Sequence, residues 1–405
     1  MPARTPATRV ALAVLVICTG FNLFARGISE TFAVFLIPLE LEFGWPRATL
    51  TGIYSLFMLT NGLASPLAGL LFDRLGPRWS YGLGLSVFGL GYLLAGRAQE
   101  LWHFYLGIGL MGGLGVALIS MVPASALISR WFRDRLTTAM GIAYGGLGCG
   151  VLLLVPLTQV LIEQFGWRVS YTVLGIVLLG LLSLLALPWN QFSAGHPVYA
   201  RDSALRTQRE GHWNLSRALR DRAFWALTSV FFFTAVAVYA VAPQVVVYLV
   251  EVGFDPFQAA SAYGLTGMLS VGGMVGMAWL ADRFGRRKVV TLSYCSTIIG
   301  ILVLLLMQNA PHYPLLVLFV LLFGSVQGSR GPVVFALAAR LFAGGGLGSI
   351  YGAITLGMGV GAALASWLSG WLHDITGAYH ASFSLAIAAA STGILLFWLI
   401  PELAD

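Results

Sequence analysis

Residues 69–78 read GLLFDRLGPR, and residues 278–287 read AWLADRFGRR. Each stretch closes an apolar run with the pattern Asp-Arg-x-Gly-x-Arg, and Asp73 and Asp282 stand 209 residues apart. A second pair of stretches keeps the same spacing. SMVPASALISRWF (120–132) and SRGPVVFALAARLF (329–342) set Pro123 and Pro332 209 residues apart. Arg130 and Arg340 follow at 210, so one residue has been inserted. Two unrelated motifs with one offset mark an internal duplication of the whole chain.

What is duplicated is membrane-spanning. Of the 405 residues 58% are hydrophobic and 10% charged, with mean hydropathy +0.84. A soluble domain carries about 25% charged residues. The segments are long apolar runs, not short alternating strands, so they read as helices and not as a barrel. Runs long enough to span fall at 10–39, 48–72, 79–97, 101–129, 137–163, 167–188, 222–250, 257–281, 288–309, 314–339, 347–373 and 378–400. Turn chemistry separates them: EFGWPRA, DRLGPR, FRDR, QFGWR, DRFGRR, DITGAY. The 49 glycines suit close helix packing. The expected fold is an all-α membrane protein, twelve transmembrane helices in two pseudo-symmetric six-helix bundles, 1–188 and 222–405. The polar stretch 189–221 is expected to be a cytoplasmic linker with an interfacial helix near 214–222.

With the N-terminus cytoplasmic, eighteen of the 23 Lys and Arg lie on the cytoplasmic side. Only Arg47, Arg97 and Arg168 lie outside, and Arg26 and Arg330 fall within spans. That bias sets the orientation, with both termini cytoplasmic. It also accounts for the net charge of +7 as attraction to an anionic leaflet, with no nucleic-acid partner required. Cys18, Cys149 and Cys295 stand singly in apolar runs, and no metal-ligand spacing appears. GGLGCG and GMGVGAA lack the Lys of a phosphate loop. No nucleophile–base pair or cofactor fingerprint is visible, so neither an enzyme nor a bound cofactor or metal is expected. MPARTPATR is read as a short basic tail and not a cleavable leader. The ending IPELAD is read as carrying no signalling domain, which weighs against a membrane sensor on a transporter scaffold.

The repeated Asp-Arg-x-Gly-x-Arg loop and the six-plus-six plan resemble the major facilitator superfamily over the whole chain. The resemblance implies alternating access, with the first helix of each three-helix unit (1, 4, 7 and 10) lining a central cavity. It also implies a cytoplasmic latch in which Asp73 and Asp282, with Arg74 and Arg283 beside them, meet Arg130 and Arg340 when the protein opens outward.

A charge at the bilayer centre costs about 2.5–3.5 kcal/mol on insertion scales. FARGISE (24–30) places Arg26 and Glu30 in the middle of helix 1, and Arg330 lies on helix 10. Thr19, Asn22, Arg26 and Glu30 fall on one helical stripe, and Gln327 and Arg330 on another. At the repeat offset Arg330 corresponds to Met121, and Arg26 to Ala235. The charges therefore do not come from the duplication, which favours a ligand. A guanidinium stays protonated and grips carboxylate with two parallel donors. Arg26 and Arg330 are expected to clamp an anion, with Asn22, Gln327, Tyr144 and Tyr351 as hydrogen-bonding groups. Tyr54, Asn61, Tyr239, Gln244 and Tyr263 are equally ligand groups or satisfied packing contacts. Glu30 either pairs with Arg26 or titrates as the site of a coupling proton. His103, His312 and His373 read as solvated side chains near the outer surface.

The stretches SETFAVFLIPLELEFGWPRATLTGIYSLFMLTNGLASPLAGLLFDRLGPR and RWFRDRLTTAMGIAYGGLGCG resemble the monocarboxylate and oxalate:formate porter branch. That implies a small organic anion, moved by proton symport or anion exchange. Members of that branch often carry a basic residue on helix 8 or 11, whereas 257–281 and 347–373 hold no Lys or Arg. Arg26 and Arg330 are expected to take over that role. The expectation is a monomeric secondary transporter, multi-pass in a plasma membrane of the bacterial inner-membrane kind. A multidrug or sugar porter of the same fold is the rival reading.

Overall fold

The structure is a computed structural model that describes residues 6–132, 136–195, 213, 215–308, 311–342 and 347–403. Among these residues there is no strand. Twelve rods run back and forth. They are α1 (Pro6–Glu30, then Phe32–Phe43), α2 (47–75), α3 (77–96), α4 (Leu101–Ser129), α5 (136–165) and α6 (167–186). The second six are α7 (Arg222–Val252), α8 (Pro256–Phe284), α9 (Arg286–Met307), α10 (Tyr313–Gly324, then Arg330–Leu341), α11 (Leu347–Thr376) and α12 (His380–Leu399). Among the described residues nine helices are individually long and apolar enough to cross a membrane. Here α5 and α6 form one such run, α3 continues the long helix of α2, and α10 is interrupted by residues 325–329.

The duplication is written into the backbone. Positive φ falls at Gly44 and Gly253, and at Gly76 and Gly285, each pair 209 apart. Gly76 and Gly285 are the glycines of the two Asp-Arg-x-Gly-x-Arg loops. Their φ values of 79° and 91° let the chain reverse between spans where an L side chain would be strained. Gly44 and Gly253 close α1 and α7 with left-handed caps, and the Gly44 N–H reaches Glu40 O at 2.9 Å. The helix breaks repeat as well. α1 is interrupted at Thr31 and α7 at Ala240–Val241, while α4 breaks at Ser120 and α10 ends its turn at Ser329. Asp221 and Asp255 cap the starts of α7 and α8, accepting from Ala223 N at 2.8 Å and Phe257 N at 2.9 Å.

Glycine sets how closely the rods approach. A Cβ on Gly27 of α1 would stand 2.6 Å from Gly150 O of α5. Between the bundles α2 packs on α11 and α5 on α8. A Cβ on Gly62 would lie 3.2 Å from the Cα of Gly359, and one on Gly148 would press on Gly267 O and Val271. Beside Gly20, Gly331 and Gly352, nearer the end that carries the arginine-rich loops, a Cβ would meet nothing within 4 Å.

Part of the stretch read as linker belongs to the first bundle. Trp189–Ala194 is helical, with Trp189 and Phe192 buried, and Trp131 Nε1 donates to Phe192 O at 2.6 Å. A short helix at Leu215–Ala218 stands where an interfacial helix was expected. Residues 196–212 and 214 lie outside the described part.

Adjacent glycines on α8 test the packing. A Cβ at Gly273 would fall on the carbonyl of Ser325 in α10, whereas one at Gly272 meets nothing within 4 Å. Gly273→Ala is expected to lower thermal stability by about 1–3 kcal/mol through overpacking. Gly272→Ala should be neutral or slightly stabilising, as read by thermal unfolding in detergent.

Candidate functional site

The break in α1 builds the centre of the protein. Thr31 turns its hydroxyl back onto Ile28 O at 2.6 Å, which makes Glu30 the last residue of the first helical segment. Arg26 sits one turn earlier, and its Nη2 lies 2.7 Å from Glu30 Oε1. Three tyrosines complete the cluster. Tyr54 of α2 donates to Glu30 Oε1 at 3.1 Å, and Tyr263 of α8 donates to Glu30 Oε2. Arg26 Nη2 also donates to the Tyr239 hydroxyl of α7 at 3.1 Å. Glu30 is 3% exposed, whereas 31% of the Arg26 side chain remains accessible. Arg26 thus spends one nitrogen on protein partners and keeps Nε and Nη1 without a described hydrogen bond. The cluster straddles the seam, with Arg26, Glu30 and Tyr54 from the first bundle and Tyr239 and Tyr263 from the second.

Arg330 is placed elsewhere, which corrects the expected two-arginine clamp. It is 1% exposed, inside the second bundle. Its Nη2 donates to Ser293 O at 2.9 Å and to the Thr297 hydroxyl, and its guanidinium lies 4.0 Å from the Tyr294 ring centroid. These partners are all on α9, away from the seam, and Nε and Nη1 are buried without a partner. The cause is local. Residues 325–329 form a turn with Gly328 at φ 82°, so Gln327 and Arg330 do not share a helical stripe. Gln327 is half-buried.

Asn22 is likewise committed to packing. Its Nδ2 donates to Ala143 O of α5 at 3.0 Å, and its Oδ1 accepts from Ser120 at the α4 break at 3.4 Å. Tyr144 and Tyr351 are both half-buried, and the Tyr351 and Phe335 rings meet edge-on with centroids 5.0 Å apart. Gln244 is buried and donates to Ser369 at 2.7 Å. The side chains of Asp73 and Asp282 lie outside the described part. Of their expected partners, Arg130 donates to Ser193 O at 3.3 Å and lies over Phe72 at 5.3 Å. Arg283 stacks near Trp279 at 5.5 Å, and Arg74 and Arg340 are exposed.

A second polar centre stands at the end opposite the arginine-rich loops, built on Arg47 at the start of α2. Its Nε faces both oxygens of Glu40, at 3.3 and 3.1 Å. Its Nη2 binds Glu251 of α7, and its Nη1 meets the Tyr379 hydroxyl and, at 3.1 Å, His373 Nε2. Asp374 of α11 accepts the backbone N–H of Arg47 at 2.9 Å and of Ala48 at 2.7 Å, capping α2 from the other bundle. Burial pushes the Tyr379 hydroxyl up, with Arg47 pulling against it, so it stays protonated. His373 is therefore a seam residue and not a solvated one. Sequence reading missed this centre. Its members come from positions 40, 47, 251, 373, 374 and 379, which no motif or spacing along the chain groups together.

Two six-helix repeats joined at one end, with an accessible guanidinium and a buried carboxylate on the seam between them, define a membrane transporter and not an enzyme. The chain belongs to the major facilitator superfamily, whose family model matches residues 15–283 and 270–404. Among curated proteins it is similar to monocarboxylate transporter 13 of Bos taurus, 30% identical over 376 residues, covering 91% of this chain and 85% of that one. It is also similar to monocarboxylate transporter 12 of Mus musculus, 27% identical over 404 residues, covering 94% and 83%. The monocarboxylate branch that the sequence resembles is thus supported. Among solved structures a D-xylose–proton symporter superposes with TM-score 0.73 at 16% identity, over 96% of this chain and 98% of that one. That likeness shows the fold.

The structural role of Asn22 is testable. Asn22→Leu removes the donor to Ala143 O and the acceptor for Ser120. It is expected to cost about 1–3 kcal/mol of stability while leaving ligand affinity unchanged, as read by thermal unfolding beside a binding assay.

Proposed function

We propose that the chain carries small carboxylates together with a proton, and that Arg26 and Glu30 are the exchanging pair. The observation that carries this reading is the accessible Arg26, with two nitrogens uncommitted, held against a buried Glu30 that is its only described acid partner. An arriving carboxylate competes with Glu30 for the guanidinium. A Glu30 that loses Arg26 is left nine-tenths buried beside tyrosine hydroxyls, and an uncompensated buried charge takes up a proton. Before the exchange the site holds Arg⁺ and Glu⁻. After it, the site holds Arg⁺, the substrate anion and neutral Glu. The charge is unchanged and one proton travels with one carboxylate.

Tyr54, Tyr239 and Tyr263 let both bundles sense the exchange, because their hydroxyls bond to Arg26 or Glu30 from either side of the seam. Tyr144 and Tyr351 are proposed to line the same path. In this reading the arginine-rich end and both termini face the cytoplasm of a plasma membrane, as the charge bias favours. The Asp73–Arg130 and Asp282–Arg340 pairings are proposed to latch the cytoplasmic end in the outward-open state. The similarity to proteins named monocarboxylate transporters supports the substrate class.

The test is uptake into proteoliposomes of lactate-sized monocarboxylates, with a dicarboxylate and a neutral sugar as competitors. Arg26→Gln should weaken carboxylate affinity by about 10- to 100-fold, the worth of a charge-assisted hydrogen bond. Glu30→Gln should abolish carboxylate-driven proton movement while retaining exchange of one carboxylate for another. Undiminished proton movement in Glu30→Gln would sink the coupling role. Competition by the sugar alone, unaltered in Arg26→Gln, would favour a sugar porter.

A further inference from the structure

We propose that the Arg47 centre is a proton-operated gate, in which protonation of His373 releases the two bundles from each other at the outer end. Arg47 contributes from the first bundle, and Glu251, His373, Asp374 and Tyr379 from the second. The gate is thus made at a seam that alternating access must open.

The chemistry of one contact makes it sensitive to protons. A guanidinium has donors and no acceptor. His373 Nε2, 3.1 Å from Arg47 Nη1, must therefore present its lone pair, and the imidazole is neutral while the bundles are joined. Its Nδ1 is buried with no partner. A proton on Nε2 turns the contact into donor against donor and sets two cations side by side.

The other groups around the ring do not offset this while the gate is closed. Glu40 from α1 faces Arg47 Nε, Glu251 from α7 binds Arg47 Nη2, and Asp374 caps the α2 backbone. Tyr379, whose ring centroid is 4.7 Å from that of the imidazole, accepts from Arg47 Nη1 at its hydroxyl oxygen. Once the bundles part, Arg47 and Glu40 leave together. Glu251 and Asp374 then remain beside His373 and are free to pair with an imidazolium. The ring thus binds its proton more weakly in the joined state than in the parted one. By linkage the joined state is favoured above the ordinary histidine value of about 6.5, and parting is favoured as pH falls through it. With the arginine-rich loops cytoplasmic, the pH sensed is that of the medium outside.

The gate is separate from the Arg26–Glu30 exchange, and one experiment distinguishes them. Spin labels at Gln99, in the α3–α4 loop, and His312, before α10, report the separation of the outer ends, with Cys18, Cys149 and Cys295 replaced. Pulsed electron resonance is recorded on the full chain in detergent from about pH 8 to about pH 5, either side of the histidine value. The expected result is a growing long-distance population, with the parted-to-joined ratio rising by up to about tenfold per pH unit below that value. His373→Gln keeps an acceptor for Arg47 but does not titrate there, so it should hold the joined distance across the range. Glu30→Gln should retain the pH response. A response that survives His373→Gln, or an unchanged distance in the parent chain, overturns the gate. A response lost only in Glu30→Gln assigns the titration to the exchange site and also overturns it.

Discussion

An arginine and a glutamate one turn apart on a membrane helix set the terms for everything around them. Alone, either charge costs several kcal/mol at that depth. Together they still require further hydrogen bonds, since a buried pair balances its desolvation only when the remaining donors and acceptors are met. Glu30 is met by Tyr54 and Tyr263, and Arg26 by Tyr239. Those tyrosines sit on three helices from two bundles. The pair is therefore solvated by the seam itself, and moving the bundles changes its solvation. On the proposed reading this is how the exchange is felt by both bundles, and it arises from satisfying one expensive pair of residues.

The duplication supplies the frame, and departures from it supply the chemistry. Glycines with positive φ recur at Gly44 and Gly253 and at Gly76 and Gly285, and the four central helices break at matching points. Arg26, Glu30, Arg47, His373 and Arg330 have no such counterparts. A symmetric scaffold gives two bundles that can rock against each other. Charges without a counterpart in the other repeat let different arrangements of the bundles make different contacts, as any ligand-driven shift between states requires.

Most of the fold was legible because it rests on one-dimensional facts: runs of apolar residues, arginine counts and a constant offset. The stripe Asn22–Arg26–Glu30 was legible too, since α1 stays helical from Pro6 to Glu30. Yet stripe membership did not separate Asn22, spent on Ala143 and Ser120, from Arg26, which stays accessible. The Gln327–Arg330 stripe misled because the arithmetic of three and four holds only on an intact helix, and Gly328 breaks this one. The Arg47 centre was hidden for another reason. Its side chains look like ordinary loop charges until two bundle ends are set face to face, and no spacing along the chain encodes that.

The breaks in α1, α4, α7 and α10 bear on how such a chain sits in lipid. Lipid offers no partner for an open backbone carbonyl or amide, so irregular backbone is tolerated at that depth only where protein or water surrounds it. The interruptions at Thr31 and Ser329 meet this demand with local turns, Thr31 N–H reaching Ile28 O at 3.2 Å and Ser329 N–H reaching Val326 O at 3.1 Å. The amide at each break is thus satisfied within its own span and does not wait on a neighbouring helix.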